Sequence, residues 1–131
     1  MTAAAGETAA DAPGQALLPA IRASYGVALL MAPGAVVYLG TGRYPGRRAR
    51  RVARLLGARH LIQAGVSAFA PLPGVLAVGA GVDALHAASM LMLATVGRGM
   101  RRAALTDALA AALFAAAGVS AARVPGGVPR R

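Results

Sequence analysis

The chain has 131 residues, 57% of them apolar and only 14% charged, with a mean hydropathy of +0.59; a soluble domain keeps roughly a quarter of its residues charged and would struggle to cover so much apolar surface. All 14 basic residues are Arg, against four acidic ones, and the resulting net charge of +10 would suit nucleic acid only with a basic face and aromatics for stacking, whereas aromatics are 4% and Trp is absent. With no Cys, disulfides, thiolate metal sites and Cys nucleophiles are excluded.

The charges bunch into short stretches between long neutral runs, which is the pattern of an all-α integral membrane protein, here a four-helix bundle. Residues 1–16 are rich in Ala, Thr, Gly and Pro, carry Glu7 and Asp11, and bury too little surface to offset their ordering entropy, so they read as a disordered tail. They lack the cationic start of a secretory signal, and the first apolar segment is expected to stay.

Residues 17–39 form the first expected span, with Arg22 near its outer end, where it can snorkel to headgroups. Pro33-Gly34 is expected to kink it, and Tyr25 and Tyr38 to act as interfacial anchors. The loop that follows is the most cationic, with Arg43, Arg47, Arg48, Arg50, Arg51 and Arg54. The second span, residues 55–70, emerges from that cluster and ends sharply at Pro71-Leu72-Pro73-Gly74. Residues 75–96 are the clearest span, interrupted only by Asp83 and His86. A second basic loop holds Arg98, Arg101 and Arg102; residues 103–122 are the fourth span, with Asp107 inside it, and residues 123–131 are a C-terminal tail.

The two basic loops hold nine of the 14 Arg and fall on one side of a four-pass chain, so they are expected in the cytoplasm of a bacterial inner-membrane protein, with both termini outside. The expected partners are a bilayer with anionic headgroups, bound by the Arg43 to Arg54 loop, and a membrane-protein partner or a second copy; nucleic acid is not among them.

An ionised side chain at the bilayer centre costs roughly 2.5 to 3.5 kcal/mol, so the interior polar residues need partners. Arg59 and Asp107 each lie about one turn inside their spans, at matching depth, and are expected to form a salt bridge. Asp83 and His86, three residues apart on one face, would form a second pair, with Gln63 and Ser89 extending a polar seam. That second pair either exchanges protons or fixes helix packing. His60, beside Arg59 near the interface, is read as a solvated imidazole. Gly79 with Asp83, Ala84 with Ala88, and Ala108 with Ala112 and Ala116 repeat at four-residue spacing and would let backbones approach closely. Met90, Met92 and Met100 are read as packing residues. No phosphate loop, nucleophile elbow or metal-ligand spacing is present, so no catalytic residue, metal or cofactor is assigned.

The stretch RLLGARHLIQ (residues 54–63), followed by a short turn, a span bearing Asp83 and a basic loop before the last span, resembles small four-helix bacterial membrane proteins of the DoxX type over residues 22–119. That group includes proteins associated with respiratory oxidoreductase complexes, and the resemblance implies an accessory subunit. Three functions are then in play: an accessory or structural subunit of a larger membrane complex, a small proton-coupled carrier or permeability protein using Asp83 and His86, and a membrane-embedded enzyme or cofactor holder.

Overall fold

A computed structural model describes residues 12–123, and everything described there is helix or short connection. Five α-helices follow in order: α1 (Ala12–Met31), α2 (Pro33–Thr41), α3 (Arg47–Phe69), α4 (Pro73–Val96) and α5 (Arg101–Arg123), with a single 3₁₀ turn at Arg98–Met100 before the last. Residues 12–16, assigned to a tail from composition, are the first turns of α1; residues 1–11 and 124–131 lie outside the described part, and with them most of both expected tails.

The first expected span does not run straight through to residue 39. Pro33 has no amide proton and disfavours helical geometry in the residue before it; Ala32 sits at φ −131° and ψ 52°, and α2 leaves α1 at 105°. Proline then suits the first position of the new helix, and Gly42, at φ +71°, closes α2 with its amide on Tyr38 O at 2.7 Å. The Arg cluster is likewise no loop beyond Gly46: Arg is a good helix former, and Arg47 to Arg54 are the opening turns of α3.

Two of the helices, α4 and α5, are long and apolar enough to cross a membrane, and a third crossing is reached if α1 and α2 count as one bent span. The six Arg along α3 keep it below that standard by composition.

The four long helices form two antiparallel pairs, α1 with α3 and α4 with α5, whose backbones run close together. Buried positions step by three and four residues, as in coiled-coil seams: Arg22, Gly26 and Leu29 on α1; Ala53, Gly57, His60 and Ala64 on α3; Ala80, Asp83, Ala87 and Ala94 on α4; Ala104, Ala108, Ala111, Phe114 and Gly118 on α5. At the α1–α3 crossing a Cβ on Gly57 would stand 2.7 Å from Gly26 O, and one on Gly26 would stand 2.8 Å from Gly57 O, so only glycine permits this approach. At the α4–α5 crossing Gly118 faces Ala80, with room for little more than hydrogen. Of the residues expected to pack from four-residue spacing, Asp83 and Ala108 are buried, whereas Ala84, Ala88, Ala112 and Ala116 point outward.

Between the two pairs the backbones stand farther apart, and long side chains fill the space. The starts of α3 and α5, the end of α4 and the whole of α2 gather at one end of the bundle. Thr106 Oγ1 fastens α2 to α5 there by donating to Gly40 O at 3.1 Å. Arg54 Nε donates to Leu30 O at 3.4 Å, capping a carbonyl at the end of α1, where a cation also suits the helix dipole.

Candidate functional site: the polar seam between the helix pairs

Asp83 projects from the middle of α4 into the space between the pairs and is fully enclosed. Two cations reach it from the opposite layer. Arg59 Nη2 of α3 donates to Oδ1 at 2.7 Å, and Arg22 Nη1 of α1 stands 2.7 Å from Oδ2 as an ion contact without hydrogen-bond alignment. The same Arg22 nitrogen donates to Gln63 Oε1 at 2.7 Å. One carboxylate thus joins three helices, and Gln63 orients the guanidinium that completes the join.

Beneath this cluster lies an aromatic floor. The Arg22 guanidinium carbon is 4.8 Å from the Phe114 ring centroid, within cation–π range. His60 packs edge-on to Tyr25 at 5.2 Å and tilted against Phe114 at 5.0 Å, and Tyr25 and Phe114 are 5.8 Å apart. His60 is only 4% exposed and its Nδ1 has no hydrogen-bond partner. It is a core side chain, not the solvated interfacial imidazole expected from its neighbour Arg59.

A second polar pair lies toward the cationic end: His86 Nε2 of α4 and Asp107 Oδ2 of α5 are 2.9 Å apart, each side chain about a quarter exposed. The two expected pairings are therefore exchanged. Arg59 meets Asp83 instead of Asp107, and His86 meets Asp107 instead of Asp83. The reason is azimuth. Asp83 lies on the α4 face turned to the other layer, whereas His86, three residues on, points along the seam with α5. Ser89 bonds back to Leu85 O within its own helix and adds nothing to the seam.

Arg22 is the residue that sequence reasoning misplaced. It is 3% exposed, in the bundle interior, and snorkels nowhere. The misplacement follows from the helix start: α1 begins at Ala12, which makes Arg22 its eleventh residue, about 15 Å in, instead of a residue of the first turns. The signal available in the sequence was a shortage of acids, with Arg22 and Arg59 both inside apolar runs and only Asp83 and Asp107 to meet them. Tyr25 is likewise drawn inward to the aromatic floor, while Tyr38 stacks on Tyr44 at 4.5 Å at the cationic end.

The lipid-facing candidates Arg43, Arg47, Arg48, Arg50, Arg51 and Arg54 are exposed at that end of the bundle, with Arg101 and Arg102 beside them. Among the described residues no three His, Asp or Glu side chains gather as metal ligands would. No protein-family model matches the chain, and no curated protein or solved structure is found to be similar to it.

Proposed function

We propose that the chain is a multi-pass protein of a bacterial inner membrane, with α1, α3, α4 and α5 all crossing as a four-helix bundle, and that it serves as a non-catalytic accessory or structural subunit of a larger membrane complex. The carrying observation is the use of Asp83. A carboxylate enclosed between two guanidiniums is committed to holding three helices together, and a bundle so locked presents its apolar outer faces, among them Val78, Leu85 and Met92 of α4 and Leu109 and Leu113 of α5, to lipid and to partner helices.

The same ion cluster supports α3 as a fourth crossing. Asp83 is shared by Arg22 and Arg59 and offsets one of their two charges; with Arg59 so paired, the other Arg of α3 are confined to its first turns. Those Arg stand at the positive end of the helix dipole, an arrangement that anions relieve. Anionic headgroups attract juxtamembrane Arg by about 1 kcal/mol each. The short helix α2, turned across the bundle with Tyr38 and Leu39 exposed, suits the headgroup level of the same leaflet. The bias of Arg toward cytoplasmic loops supports an orientation with the Arg end in the cytoplasm and both termini outside. The resemblance of residues 22–119 to DoxX-type proteins, some of which accompany respiratory oxidoreductase complexes, favours the same accessory role.

A proton-coupled carrier is the second reading. It draws on the half-buried His86–Asp107 pair, where an imidazole and a carboxylate do meet, in place of the Asp83 and His86 pairing expected from sequence. Purification of the tagged protein from its own membranes in mild detergent, with mass spectrometry of what accompanies it, separates the two. A stoichiometric membrane partner supports the accessory role; a protein that comes out alone and conducts protons in liposomes, with the flux lost in Asp107→Asn, supports the carrier.

A further inference from the structure

A cleft of about 640 Å³ runs between α3 and α4, with α1 contributing Arg22 to its lining. Its walls are apolar, chiefly Ile62 and Val66 of α3 and Val75, Val78 and Val82 of α4. Among the described residues, its ionic groups are Arg22 and Arg59, with Gln63 beside them; Asp83, their counter-ion, lies behind the lining. On α3 the spacing of Arg59, Ile62, Gln63 and Val66 places all four on one helical face, so the cationic end of the cleft and its apolar wall are continuous.

The polar end has donors to spare. A guanidinium carries five N–H groups, yet Asp83 is the one acceptor that Arg59 reaches among the described residues, and the Arg59 side chain is 27% exposed. Gln63 uses its carbonyl oxygen on Arg22, which leaves its amide group to donate. The apolar part runs beside α4 from Gly74 to Val82, about 12 Å at the helical rise. A cationic, donor-rich end joined to an apolar trough is complementary to an amphiphile with an anionic head.

Two features narrow the class to a single-chain carboxylate. The volume falls within the range of about 300–1,000 Å³ that holds one small molecule, which suits a single acyl chain better than a two-chain phospholipid. Arg59 also lies eleven residues before the turn at Ala70, about 16 Å along the helix, deeper than a phospholipid phosphate sits. A planar carboxylate matches a guanidinium fork in charge and geometry.

We propose that this cleft binds a medium-chain fatty acid, its carboxylate on Arg59 and Gln63 and its chain along Val66, Val75 and Val78. The inference rests on the membrane reading above, and the experiment keeps the two apart. The full-length protein in non-ionic detergent is photolabelled with a decanoate analogue bearing a diazirine on its chain, in competition with decanoate, methyl decanoate or phosphatidylglycerol. The label is expected on the cleft lining, residues 62–82 together with Leu18 and Gly118, displaced by decanoate and about tenfold less effectively by methyl decanoate, which lacks the charge. Gly79 lines the cleft and a Cβ there meets nothing within 4 Å, so Gly79→Leu fills the cleft without a backbone clash; it is expected to abolish the label while keeping the thermal melt of the parent. Labelling away from the cleft lining, equal competition by methyl decanoate, preferential displacement by phosphatidylglycerol, or undiminished labelling of folded Gly79→Leu would each overturn the proposal. Alkaline carbonate extraction of host membranes tests bilayer placement independently: release of the protein into the soluble fraction, with cleft labelling intact, overturns the membrane reading alone.

Discussion

At the scale of single residues, the consequence of removing Asp83 is set by what remains. Arg22 and Arg59 would face one another in the interior with no counter-ion, and breaking a buried pair in this way costs about 3–5 kcal/mol. Asp83→Asn, close in shape, is therefore expected to lower the unfolding transition in detergent sharply, read by circular dichroism. Asp107→Asn is expected to cost about 1 kcal/mol or less, since its pair with His86 is partly open and exposed ion pairs contribute little. Equal losses in the two variants would mean that the seam is not organised around Asp83. The residues of this seam were largely legible in the sequence, because a carboxylate or guanidinium inside an apolar run stands out. Their pairing was not, since a rise per residue gives depth along a helix but not the direction in which each helix is turned. Depth itself failed for Arg22, where the apolar run began later than the helix that contains it.

Among the elements, the close pairing of α1 with α3 depends on two glycines that see each other's carbonyls. Gly57→Leu must push α1 and α3 apart, because even a Cβ there would stand 2.7 Å from Gly26 O. Overpacking of this kind costs about 1–3 kcal/mol, and limited proteolysis should then cut the chain near Ala32, where the backbone already breaks. Gly65→Leu, on the open side of the same helix, is the matched control and should behave as the parent. Small-residue spacing in the sequence drew attention to Ala84, Ala88, Ala112 and Ala116. In a chain so rich in Ala several stripes satisfy a four-residue rule, and only the partner surface decides which one is packed. The break at Pro33 was legible, but its 105° turn was not, because proline interrupts a helix without dictating where the next one goes.

For the whole molecule, the proposed topology places Ala49 and Leu72 on opposite sides of the membrane, at the two ends of α3. Both are exposed and the chain has no Cys of its own, so single Ala49→Cys and Leu72→Cys variants can be read directly. In spheroplasts a membrane-impermeant maleimide is expected to label Leu72→Cys at once and Ala49→Cys only after permeabilisation. Labelling of both without permeabilisation would remove α3 from the set of crossing helices, and the opposite pattern would invert the bundle. All-helical architecture was legible from composition and periodicity, as were the two helices long and apolar enough to cross a membrane. The status of α3 was less so, since its Arg content hides the apolar half that follows.

The order in which the ion cluster is made along the chain has a consequence for biogenesis. Arg22 and Arg59 are both synthesised before Asp83, which follows Arg59 by 24 residues. While the ribosome is between α3 and α4, the emerging hairpin carries two interior cations with no anion to answer them, each a burden of roughly 2.5 to 3.5 kcal/mol in the bilayer. Nascent chains truncated before Asp83 should stay at the translocon or slip back, and release into lipid should coincide with the arrival of α4. In the proposed topology the carboxylate would thus act as a checkpoint, letting the first half of the molecule leave the insertion machinery only when the second half is present.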